Sequence, residues 1–329
     1  MSRSVDAAKV AIQYDPSLME SVVTRALAAG GPAAAGFTSE AFHAQADPLY
    51  RVCDVGERSG RFHRLFADWF RRGGFDQPIA EALDEFADVG GAISRVTVTA
   101  AASPADERAD LACFGDRAAS AGDGKLWLGI AVQPGHFLKR PVLRRWLRHE
   151  LWHVRDMLDP AFEYRREDLV GGSADRLPQR VVQDRYAVFW SLSIDARVQR
   201  GGFLPLWSDD ERLARLAAAF PNASREALRA ASDSLGLSRG LRHAELLDLA
   251  RGPRKLFAGD EPSDGPARPL PGSPCPLCRF PTFHWTDLAA PNAEAVVQAI
   301  REAYPAWDLA QGVCLTCFDL FSIRAGVWV

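Results

Sequence analysis

No apolar stretch of this chain is long enough to cross a bilayer. The longest unbroken run, LWLGIAV at 126–132, falls far short of the roughly 20 residues that a membrane-spanning helix needs. The opening residues MSRSVDAAKVAIQYDP scatter charges among apolar side chains, and they lack the continuous hydrophobic core of a secretory signal. The ending AGVWV carries no targeting or lipidation signal. We therefore expect a cytoplasmic protein with no membrane partner. A strong charge of one sign is also missing. The formal net charge is −3 over 329 residues, so no global basic field gathers nucleic acid, and nucleic acid is not expected as a partner. No internal repeat is visible. With 47% hydrophobic and 25% charged residues, the chain can bury a substantial core without cross-links.

A disulfide framework is absent too. Of six cysteines, Cys53 and Cys113 stand alone, and the expectation for both is a small core residue. The other four form two knuckles, CPLC at 275–278 and CLTC at 314–317. The spacing C-x2-C-x35-C-x2-C in an intracellular chain points to a closed metal site rather than to disulfides. Cys275, Cys278, Cys314 and Cys317 are thus the expected ligands of a structural Zn²⁺. Four thiolates leave no open position on the ion, so no chemistry is expected there.

Along the chain, the first 35 residues are rich in alanine and glycine and weakly patterned. SGRFHRLFADWFRRGG (59–74) reads as an amphipathic helix, with Phe62, Leu65, Phe66, Trp69 and Phe70 on one side. PIAEALDEFADVGG (78–91) continues as helix to a glycine stop. Three strand-like runs follow: ISRVTVTA (93–100), RADLACFG (108–115) and KLWLGIAVQP (125–134). Residues 141–158 form a helix with Pro141 suited to its first turn. A second helical block begins with the long run at 178–202, and Ser208 and Glu211 stand in capping-box spacing for the next helix. Residues 252–274 are rich in proline and glycine and read as a linker. The cysteine module carries one helical insert, 292–304, capped by Asn292.

The helix at 141–158 contains HELWH, residues 149–153. Residues four apart share a helix face, so His149 and His153 can point at one ion. Glu150, one residue round, can reach a water bound to it. Two imidazoles with an adjacent carboxylate are the components of zinc-assisted hydrolysis. The metal acidifies the water and polarises a carbonyl, and the glutamate is the general base.

A small sheet, the HELWH helix and a helix-rich half follow one another in an order that resembles the zincin metallopeptidase superfamily. The resemblance covers about residues 60–250, and only the motif is specific. It implies an α+β fold: a small mixed sheet with the active-site helix, a helical second lobe, and here a small C-terminal four-cysteine module. It also implies that the strand nearest the cleft pairs with an extended substrate, for which KLWLGIAVQ is the local candidate. The expected organisation is an N-terminal helical or irregular segment at 1–58, a hydrolase domain at 59–251, a linker at 252–274 and the zinc module at 275–329.

The third ligand is less clear from the residues. A metzincin-like ending would use Asp159, but it needs a left-handed turn at Asp156, where glycine is missing. A gluzincin-like ligand comes from a later helix. Asp195 is the one carboxylate in the middle of the apolar run YAVFWSLSIDARVQR, and it is the chosen candidate, although Ser191 stands where that pattern expects glutamate. The competing explanation for Asp195 is an ion pair with Arg197 or another arginine. Asp184 and Glu167 are in reserve. Tyr164, Tyr186, Arg185 and His243 are candidates for stabilising an oxyanion, and Asp156 for orienting an imidazole.

The expected function is a zinc metallopeptidase acting on a peptide or protein, with one catalytic and one structural Zn²⁺. The same chemistry would serve an amide hydrolase acting on a small molecule or modified peptide. A non-catalytic adaptor that docks a protein partner through the zinc module is the third alternative.

Overall fold

The computed structural model describes residues 10–30, 36–112, 126–170, 179–220, 223–237, 240–252, 256, 273–288, 290 and 293–326. The fold is α+β, as expected, and it divides into two compact units at Pro160/Ala161. That boundary falls inside the 59–251 span read from the sequence. No helix among the described residues is long and apolar enough to cross a membrane.

The first unit holds a four-stranded mixed sheet: β1 (Ala11–Tyr14), β2 (Ile93–Ala100), β3 (Arg108–Ala112) and β4 (Leu126–Val132). The strand order is β1-β2-β4-β3, with β1, β2 and β4 parallel and β3 antiparallel to β4. Val96 and Val98 of β2, and Leu128, Ile130 and Val132 of β4, recur at the two-residue period of a strand face, and all are buried. The N-terminal segment supplies β1, which pairs with β2. The sheet corrects one expectation. The apolar run at 126–132 is an interior strand, so the edge next to β4 is β3. Strong apolarity marks a strand paired on both sides, not a cleft edge.

Around the sheet lie α1 (Pro16–Ala28), α2 (Ser39–Ala46), α3 (Val55–Arg72), α4 (Gln77–Glu85), α5 (Ala87–Ala92) and α6 (Arg140–Leu158). Asp15 starts α1 by accepting the N–H groups of Ser17 and Leu18 at 2.9 and 3.3 Å. Leu18, Val22, Val23 and Ala26 then form its buried stripe. The run at 78–91 is not one helix. It breaks at Phe86 (φ −111°, ψ 60°), whose buried ring stands edge-on to Trp152 of α6. Cys53 is exposed rather than a core residue, and Cys113 lies outside the described residues.

The second unit contains α7 (Glu167–Val170), α8 (Gln179–Arg200), α9 (Asp209–Ala219), α10 (Arg225–Leu237), α11 (His243–Arg251), α12 (Glu294–Ala303) and α13 (Leu315–Arg324). The helix α8 is buried on several faces because α9, α10 and α11 all pack on it. The capping box at the start of α9, Ser208 with Glu211, is formed. The helices α12 and α13 pack on each other over a core of Val296, Ile300, Trp307, Val313, Phe318 and Phe321. Asn292 and nearly all of the linker lie outside the described residues.

Candidate metal centres

The helix α6 has proline in its first turn and buries Leu143, Leu147, Leu151 and Val154. His149, Glu150 and His153 come together at one point of its surface. His149 is 2% exposed, and its Nε2 lies 3.3 Å from the Nε2 of His153. Two nitrogens each ~2.05 Å from a tetrahedral ion stand about 3.3 Å apart, so the pair has the spacing of two ligands on one Zn²⁺. A single N–H···N hydrogen bond has a similar length, and a metal ion would replace it on binding.

Glu150 keeps some contact with solvent, and its Oε2 accepts the backbone N–H of Ala109, on β3, at 2.9 Å. Burial raises its carboxyl above the ordinary range. His149 and the Ala109 N–H act the other way, and the charges of Glu107 and Asp110 raise it further. A carboxylate so placed is a better proton acceptor than one in water.

The helix is fixed from behind by α4. Glu85 takes two hydrogen bonds from Arg148, 2.5 Å from Nε and 2.9 Å from Nη2. Asp156 is buried, and α6 runs on regularly past it to Leu158. The left-handed turn that would bring Asp159 back as a ligand does not form; Asp159 caps the helix in extended conformation. Two residues that carry no sequence motif also belong to this region. Glu107 immediately precedes β3, and His136 lies on the short 3-10 turn Pro134–Leu138 after β4. They approach to 3.6 Å, and Glu107 also accepts the N–H of Gln133 at 2.8 Å.

Asp195 is completely buried in the second unit, and its carboxylate has protein partners. Oδ1 accepts the N–H of Leu206 at 2.9 Å, and Oδ2 accepts that of Trp207 at 3.0 Å. Arg212 lies 3.7 Å from Oδ2. The ion-pair explanation is therefore realised, with Arg212 as the arginine, and the burial of Asp195 is accounted for without a metal. Asp184 is an exposed residue on α8, 4.0 Å from Arg180, and Glu167 lies in the first turn of α7. Tyr186 Oη meets His243 Nδ1 at 2.8 Å inside the helical packing, with Tyr164 edge-on to the same ring. Arg185 packs over the ring of Phe220. These contacts tie helices together.

The four cysteines gather in one cluster that could hold a metal ion. None is in a disulfide. Cys278 Sγ and Cys314 Sγ are 3.8 Å apart, and two sulfurs each ~2.3 Å from a tetrahedral Zn²⁺ would be about 3.8 Å apart. The first knuckle turns through Arg279 in the left-handed region (φ 65°), with the Arg279 N–H on the Cys275 carbonyl at 2.8 Å. The second forms the start of α13, where Cys314 Sγ accepts the N–H of Cys317 at 3.4 Å. Burial disfavours a thiolate at Cys275, but N–H groups of Cys278, Cys314 and Leu277 outweigh it and hold this thiol below its usual value. Trp307, Phe318 and Phe321 form the module's core, whereas Phe280 and Phe283 are exposed.

Compared with known proteins, the chain matches no family, no curated protein and no solved structure. The functional reading therefore rests on the chemistry of these two clusters.

Proposed function

We propose that the chain is a metal-dependent hydrolase that cleaves an amide bond, with peptides as the favoured substrate class. The observation that carries this reading is the 3.3 Å convergence of His149 and His153 Nε2 beside a carboxylate tied to a strand edge. A divalent ion such as Zn²⁺, held by the two imidazoles, supplies Lewis acidity and an acidified water. Glu150 takes a proton from the attacking water as its oxygen bonds the carbonyl carbon. The same carboxyl then delivers a proton to nitrogen as the C–N bond breaks. The Ala109 N–H holds Glu150 in place for both transfers. Peptides are favoured because β3 is an edge strand among the described strands and passes directly beside Glu150. An extended chain can add to such an edge through backbone hydrogen bonds. The four-cysteine cluster holds a second, structural metal.

The test is cleavage of a mixed peptide library followed by mass spectrometry. Glu150→Gln keeps the shape and removes the base. We expect it to retain metal and to cleave about 10²–10⁴-fold more slowly. A variant within a few-fold of wild type would refute Glu150 as the base.

A further inference from the structure

His243 is a buried histidine that the hydrolytic reading does not use. It stands at the first position of α11 and is 2% exposed. Nδ1 meets Tyr186 Oη of α8 at 2.8 Å, and Nε2 lies 3.4 Å from Asp168 Oδ2 of α7. The backbone N–H of His243 donates to the Phe162 carbonyl at 3.1 Å. One residue thus holds the chain at 162 and again at 168, in the first stretch of the second unit after α6. Between these points Phe162 and Tyr164 both stack on Trp190 of α8, each with ring centroids 5.4 Å apart. Glu163, between the two rings, lies in the left-handed region (φ 57°), which a non-glycine residue occupies at a cost. The stretch is therefore held closed against backbone strain.

The proton state of the ring decides how well this arrangement fits. A neutral ring whose Nδ1 accepts the Tyr186 O–H carries its hydrogen on Nε2, toward Asp168. An imidazolium carries a hydrogen on Nδ1 as well, and the Tyr186 O–H must then turn to another acceptor. Burial is the largest influence on His243 and lowers its pKa below the ordinary 6.5. Asp168 and Glu167 of α7 oppose it, and Arg165 assists it. A histidine depressed in this way stabilises the closed form fully above its unfolded value, and that contribution is lost as pH falls through the folded one.

We infer that residues 161–169 form an acid-released latch, held against α8 and α11 by neutral His243 and loosened when His243 takes up a proton. This device is independent of the proposed hydrolysis.

The test is amide hydrogen exchange of the full chain, corrected for the intrinsic effect of pH on exchange. The informative amides are those of Asp168, Leu169 and residue 243, which donate to the carbonyls of Arg165, Arg166 and Phe162. From about pH 7.5 to about pH 5.5, their protection in wild type should fall by about threefold or more relative to α9 and α10. The fall should be absent in His243→Gln, whose side chain stays neutral. It should deepen in Asp168→Asn, because losing the opposing anion makes the buried imidazolium still less favourable. Asp168 is 41% exposed, so this second variant decides the matter where His243→Gln does not fold. No fall in wild type, an equal fall in His243→Gln, or a fall in Asp168→Asn no deeper than that of wild type overturns the inference.

Discussion

Replacing Asp195 with alanine would take away an acceptor shared by the N–H groups of Leu206 and Trp207 and by Arg212. Breaking a buried arrangement of this kind costs on the order of 3 kcal/mol. We expect Asp195→Ala to lower stability by that amount in urea denaturation and to leave the metal content per chain unchanged. A loss of one metal at unaltered stability would restore Asp195 as a ligand. His149 and His153 give the opposite expectation, because their exchange for alanine should remove a metal. Residue type alone could not separate these cases. A lone carboxylate in an apolar helix suits a ligand and a turn anchor equally, and the deciding donors come from residues 206 and 207, outside the helix that carries it.

The tie between α4 and α6 makes a prediction at the scale of elements. The hydrogen bond from Arg148 holds the Glu85 carboxyl below its usual value of 4.5. Partial burial opposes this, and the charges of Arg148 and Arg144 assist. A carboxyl depressed in the folded state stabilises fully above its unfolded value and loses that contribution as pH falls through the folded one. Wild type should therefore lose urea resistance more steeply than Glu85→Gln as pH drops below about 4.5. Parallel curves for the two proteins would contradict the tie. Much at this scale was legible in the sequence: the HELWH helix, the two cysteine knuckles, the capped α9 and the strands at 93–100 and 126–132. The short β1 was not, because Ala11–Tyr14 is too brief for a periodic signal. Without β1 the strand order stays open, and the apolar run at 126–132 reads as a candidate for the cleft edge. Glu107 and His136 meet only through the β3–β4 pairing, which no local spacing announces.

For the whole molecule, the account is two separate metal-binding clusters, one in each compact unit. Cys275→Ser should cost the metal of the cysteine cluster and speed hydrogen exchange across α12 and α13, while exchange in α6 stays as in wild type. Equal acceleration in α6 would mean that the two clusters are coupled. The central claim is that His149 and His153 hold a metal of their own. Elemental analysis of zinc per chain, in wild type and in the His149→Ala/His153→Ala double variant, tests it most directly. The account predicts two zinc ions in the wild type and one in the variant. One zinc in both would leave only the cysteine-bound ion and contradict the reading of HELWH as a metal centre.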